Sequence, residues 1–210
     1  MRNTLTILAA ATLLAGCAGK VAYTPPESHS YASNEKTINQ PLDQVWARAI
    51  PALGKDFFVI NNLDKDSGLV NISYGGDPER YLDCGVVESE VTNIHGTRHY
   101  RFPGASASQS YEIMHNGHLF YLERKMGLDG RANLIFEAIE KNKTKVTANI
   151  RFVVTKDIRI TNVAGGFPQT MSDTVSFGAN SGATFPGQGE AATRCVSNGK
   201  LEQEILDTLS

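Results

Sequence analysis

The clearest pattern in the chain is alternation. From Lys145 to Thr155, Val146, Ala148, Ile150, Phe152 and Val154 fall on one face, and Thr147, Asn149 and Arg151 on the other. A period of two predicts a half-buried antiparallel strand. Arg131 to Ile139 supplies its partner arm, with Glu140-Lys141-Asn142-Lys143-Thr144 as the turn, so the two predict a hairpin. Leu69 to Tyr74 also alternates, with Val70, Ile72 and Tyr74 on one face. The β-branched and aromatic run Phe57-Phe58-Val59-Ile60 precedes it, across the turn Asp64-Lys65-Asp66-Ser67-Gly68. Further strands are expected at 86–94, 111–115 and near Thr174 to Phe177, the last within a Gly-, Ser- and Thr-rich stretch, 162–190. His118 to Met126 fits a strand or a short helix.

A helical period marks two places. Pro41 suits a first turn and Asp43 the positive end of a helix dipole. Leu42, Val45, Trp46, Ala49 and Leu53 then form an apolar stripe, in which Trp46 reads as a core anchor. Pro51 is expected to kink or split this helix near Ile50. Near the C-terminus Ser197 can cap a helix whose stripe is Leu201, Ile205, Leu206 and Leu209. The expected fold is therefore α+β, one domain over 36–210: a single antiparallel sheet packed against an N-proximal and a C-terminal helix.

Composition narrows the function classes. The 210 residues are 41% hydrophobic and 20% charged, as in a globular protein and unlike a disordered chain. Lys plus Arg number 20 and Asp plus Glu 22, a net charge of -2, so no basic excess exists for nucleic-acid binding.

The first residues read as a targeting segment. Arg2 leads into an apolar run from Leu5 to Leu14, too short to remain as a bilayer-spanning helix, and small residues follow. Leu14-Ala15-Gly16-Cys17 resembles a bacterial lipobox; the other reading is an ordinary signal peptide with a chance cysteine. The resemblance implies cleavage of 1–16, diacylglyceryl attachment to the Cys17 sulfur and acylation of the new amino terminus. Several buried acyl chains hold a protein on a membrane stably. With Ala18 and not Asp after the cysteine, the resemblance further implies the outer membrane of a Gram-negative-type bacterium. It does not decide between a periplasmic and a surface-exposed face; the periplasmic one is expected. Residues 17–35, rich in Pro, Ser and polar groups, are expected to form a lipidated flexible tether.

With Cys17 assigned to lipid, Cys84 and Cys195 remain, an even pair in an oxidising compartment, which predicts one disulfide. Closing a loop of roughly 110 residues would contribute about 4 to 5 kcal/mol in the chain-entropy model. The alternative is a metal or nucleophilic role, but neither cysteine sits in a Cys-x-x-Cys or has a histidine at ligand spacing.

Leu42-Asp43-Gln44-Val45-Trp46, Phe57-Phe58-Val59-Ile60 and Asp64-Lys65-Asp66-Ser67-Gly68-Leu69-Val70 together resemble the helix-strand-turn-strand opening of BamC-type lipoprotein domains. That resemblance spans about thirty residues. It implies a helix-grip fold and a place in the machinery that assembles outer-membrane proteins. The familiar subunit has two such domains, and this chain has room for one.

No catalytic constellation stands out. His95 with His99, and His115 with His118, have spacings that could serve zinc on a helix, but Gly96 and Asn116-Gly117 mark turns instead. Asp64, Asp66 and Gly68 lack the closing ligands of a calcium loop. Glu123-Arg124-Lys125 reads as a solvated charged face. Neither a phosphate-cradling Gly-x-x-x-x-Gly-Lys nor a Gly-x-Ser-x-Gly elbow occurs. The expectation is a non-enzymatic binding or scaffold module of a cell-envelope complex, with no cofactor, metal or nucleic acid. The alternative is a carrier of a lipid or other apolar ligand held between helix and sheet, against Phe57, Val59, Phe152 and the C-terminal helix.

Overall fold

The computed structural model of the chain describes residues 18–27, 33–56, 58–187 and 192–209. The proposed signal peptide, Cys17 and Phe57 lie outside these residues, as do 28–32 of the expected tether. Strands make up 61% of the structure and helices 15%, in several antiparallel sheets with three short helices. This corrects the expected α+β fold of one sheet with two helices, and the helix-grip architecture with it.

The organising element is the predicted hairpin, which is far longer than its pattern suggested. β9 (His118–Glu140) and β10 (Lys143–Asn162) pair along their whole length, roughly 65 Å of ribbon at about 3.3 Å per residue. The segment His118 to Met126 is therefore strand. No single neighbour covers so long a ribbon, so its edges are shared. β4 (Leu69–Gly76) pairs with the middle of β9, and β8 (Ser108–His115) with its beginning. Between them the Met126 N–H is taken by the Ala107 carbonyl at 2.9 Å. On the other edge β2 (Glu35–Ile38) and β11 (Gln169–Gly178) divide β10. The gap there is bridged by Ala148 N–H to Asn34 and Ala179 N–H to the Ile150 carbonyl. β3 (Val59–Asp64) completes this seven-stranded sheet against β4.

Two smaller sheets pack on the ribbon's inner side. β1 (Ala18–Thr24), β6 (Val86–Asn93) and β7 (Gly96–Pro103) form one, and β12 (Gly182–Thr184), β13 (Arg194–Ser197) and β5 (Leu82–Asp83) the other. β1 falls within the stretch expected as tether. Its sequence, AGKVAYT, has little apolar alternation, and backbone pairing with β6 holds it from Ala18 opposite Thr92 to Thr24 opposite Val86.

Inward side chains make two cores joined through the ribbon. In the larger, α1 (Leu42–Lys55) contributes Val45, Ala49 and Leu53, and α3 (Lys200–Thr208) contributes Leu201, Ile205 and Leu206, against Leu134, Phe136, Val146, Ala148 and Phe152. Trp46 is half-buried and meets Phe136 edge-on at 5.2 Å. The smaller core unites Val87, Phe102, Tyr111, Leu122 and Ile158. Pro51 does not split α1: its ring is exposed, and the buried Ala49 and Leu53 on either side keep the helix continuous. Ser197 is not the cap of α3 either. It ends β13, and the capping position is Gly199 in the left-handed region, with the Ser197 Oγ accepting the Gly199 N–H at 3.0 Å. The short helix α2 (Pro78–Tyr81) is tied to α3 by Arg80, both of whose Glu204 contacts measure 3.0 Å, and by the Tyr81 hydroxyl donating to Glu204 at 2.7 Å.

Candidate functional site

Alternation sends the odd-numbered residues of β9 and β10 outward, away from both helices. Register then aligns them into rows across the sheet. Asn71 on β4 faces Asn133 on β9, which faces Asn149 on β10. Asn71 Nδ2 donates to Asn133 Oδ1, and Asn34 Nδ2 donates to Asn149 Oδ1 at 3.2 Å. In the neighbouring row Ser73, Arg131 and Arg151 stand side by side. Two arginines directly opposite each other repel. Each is held by a different neighbour: Arg131 donates to Asp129 at 3.2 Å, and Arg151 to the Ser176 hydroxyl at 2.8 Å. Asn61, Asp129 and the two rows Asn71–Asn133–Asn149 and Ser73–Arg131–Arg151 line an open recess of about 620 Å³. It holds two guanidinium groups against one carboxylate, among amides that both donate and accept. Such a surface suits an acceptor-rich, negatively charged ligand that also offers amides.

The sequence reading missed this site. Asn149 and Arg151 were visible as the polar side of a strand, but only register shows what faces them.

The disulfide between Cys84 and Cys195 is formed, with a Cα separation of 4.0 Å, and joins the β5–β6 connection to β13. Around it lies a tight polar layer. The Tyr23 hydroxyl accepts the Arg194 N–H at 2.8 Å and reaches the Cys84 carbonyl at 3.3 Å. The Gly104 N–H donates to Gly85, and a Cβ on Gly104 would come within 2.2 Å of the Cys84 carbonyl oxygen, so no other residue fits there.

Arg124 overturns the expectation of a solvated charge run. Its neighbours Glu123 and Lys125 face outward, but Arg124 points inward and is 2% exposed. Its Nη2 donates to the Gly104 carbonyl at 2.6 Å, and its Nη1 has no hydrogen-bond partner among the described residues. Burial pulls its pKa down, partly opposed by Tyr111 and Tyr23. Lys156, also inward, places Nζ 4.5 Å from the centre of the Phe185 ring. Glu202 on α3 is buried too, and desolvation raises its pKa, with its own backbone N–H and the Ser197 hydroxyl opposing. These three groups lie in packed interior, remote from the recess.

Among the described residues the histidines do not converge on one site. His95 lies in the β6–β7 turn, and His99 on β7 contacts Glu90 at 3.2 Å. His115 and His118 face each other across the Asn116-Gly117 turn. Asp64 Oδ1 accepts the N–H groups of Asp66 and Ser67 at 3.1 and 3.3 Å, the geometry of a hairpin turn. Among the described residues no cluster of three or more His, Cys, Asp or Glu could hold a metal, and no helix is long and apolar enough to cross a membrane. No family model matches the chain, and no curated protein or solved structure is significantly similar to it.

Proposed function

We propose that the protein is a lipid-anchored, non-catalytic binding module of a cell-envelope complex, and that it grips an acidic protein segment in the recess between β3 and β10. The observation that carries this reading is the Arg131–Arg151 pair beside the row Asn71–Asn133–Asn149. Retaining two facing cations on an exposed sheet is unfavourable for the free domain and favourable once a carboxylate lies between them. The asparagine amides match peptide groups, which donate and accept in the same way. The lipobox-like Leu14-Ala15-Gly16-Cys17 supplies the anchor and, with it, the outer membrane as the place of action. The assembly machinery suggested by the BamC resemblance is one complex of the right kind.

Photocross-linking in cells tests this, with a probe at Asn133 and a control probe at Asn142 in the distant β9–β10 turn. One recurrent envelope complex captured from position 133 and not from 142 is expected. Equal capture from both positions, or none from 133, would count against the recess.

The second reading, a carrier of an apolar ligand, has less support. Phe152 is fully buried and stacked on Phe177 at 5.5 Å, and Val59 is 61% exposed. Of the residues assigned to line its cavity, Phe152 therefore faces a filled core and Val59 open solvent.

A further inference from the structure

The first described residue, Ala18, is already in a strand. It pairs with Thr92, one step before the β6–β7 turn, whose tip carries Ile94 at 83% exposure. Next to it Gly19 lies hard against β8, where a Cβ would come within 2.5 Å of the Met114 Cβ. Met114 pairs with Leu119 across the β8–β9 hairpin, beside its turn. The Leu119 carbonyl in turn accepts the Val163 N–H at 3.0 Å. Val163 opens the β10–β11 turn, in which Phe167 is 98% exposed. Three turns and the start of β1 thus share one end of the molecule. The two most exposed large apolar side chains of the described residues, Phe167 and Ile94, are both at their tips.

Residue 17 precedes Ala18 directly, and one residue spans at most about 3.6 Å. A lipid on Cys17 would therefore hold this end of the sheets at the bilayer surface, with no slack between anchor and domain. We propose that the end formed by the β6–β7 and β10–β11 turns docks on the phospholipid bilayer, with Ile94, Val163 and Phe167 entering the boundary between headgroups and acyl chains. This rests on the lipidated Cys17 of the proposed function. Anchoring by both acyl chains and apolar loop tips would fix the orientation of the domain as well as its location. The β9–β10 turn, at the far end of the ribbon, then points away from the membrane, and the recess faces sideways along it.

The test uses full-length protein purified from membranes and reconstituted in phosphatidylethanolamine/phosphatidylglycerol vesicles with brominated acyl chains. Phe167→Trp places a reporter at the docking end, and Ile139→Trp places one beside the β9–β10 turn. Trp46, common to both, is the shared background. Blue-shifted emission and at least twofold quenching of the added signal in Phe167→Trp, with none in Ile139→Trp, is expected. Equal behaviour of the two variants in protein whose mass shows lipid on Cys17 overturns the docking alone. A blue shift in Phe167→Trp without quenching assigns the patch to a protein and also overturns it. An unmodified Cys17 overturns the anchor, and the docking with it.

Discussion

Arg131 and Arg151 stand directly opposite each other on neighbouring strands, two like charges in one cross-strand pair. Such a pair destabilises a sheet by up to about 1 kcal/mol. Removing one charge should therefore leave the fold as stable as before or slightly more so. Arg151→Ala is expected to keep or raise the melting temperature while reducing capture from Asn133. A fall in stability of more than about 1 kcal/mol would make the pair structural.

The buried Arg124 predicts the opposite. Arg124→Ala loses a charge-assisted hydrogen bond, leaves the Gly104 carbonyl unpaired and opens a cavity, which together should cost about 2–4 kcal/mol in urea unfolding. Arg124→Met, which refills the volume without a charge, should cost less than Arg124→Ala. Lys125→Ala, on the opposite face, should stay within about 0.5 kcal/mol.

Glu202 sets a pH dependence. Its carboxyl is raised above the ordinary range by burial, so the folded state binds this proton more tightly than the unfolded state. Its contribution is fully present below the unfolded value, about 4.3, and is lost as pH rises through the raised folded value. Glu202→Gln should flatten that part of the stability profile and stabilise the protein above it. Parallel profiles for the two proteins would show that the buried carboxyl is not the group responsible.

Reduction probes the Cys84–Cys195 bond, whose partners are 111 residues apart in sequence. Loss of this crosslink should lower stability by about 4 kcal/mol in the chain-entropy model, and with it the melting temperature. Two titratable thiols in native protein, with no thermal shift on reduction, would contradict the bond.

Much of the core was legible because its signals are local. The stripe of α1, the stripe of α3 and the alternation from Val146 to Val154 each describe one face of one element, and those side chains are buried, with Leu42 and Trp46 half-buried. The three-sheet architecture was not, because its extra strands are held mainly by backbone pairing. β1 and β7 carry few inward apolar residues, and β7 reads as Gly-Thr-Arg-His-Tyr-Arg-Phe-Pro. Arg124 was hidden by its charged neighbours, although alternation with Leu122 and Met126 places it inward. The recess depends on register. The turn that sets Glu140 opposite Lys143 would, carried on regularly, set Arg131 against Phe152. The irregularity between Lys143 and Thr144 shifts the pairing by one residue, and Arg131 meets Arg151.

The most direct measurement is the affinity of the cross-linked partner, once purified, for the wild-type protein and for the Arg131→Glu/Arg151→Glu variant across a range of salt. Binding by the recess predicts at least a tenfold loss in the variant and weakening of the wild-type complex as salt rises. Equal affinity of the two proteins at low salt would contradict the recess as the binding site.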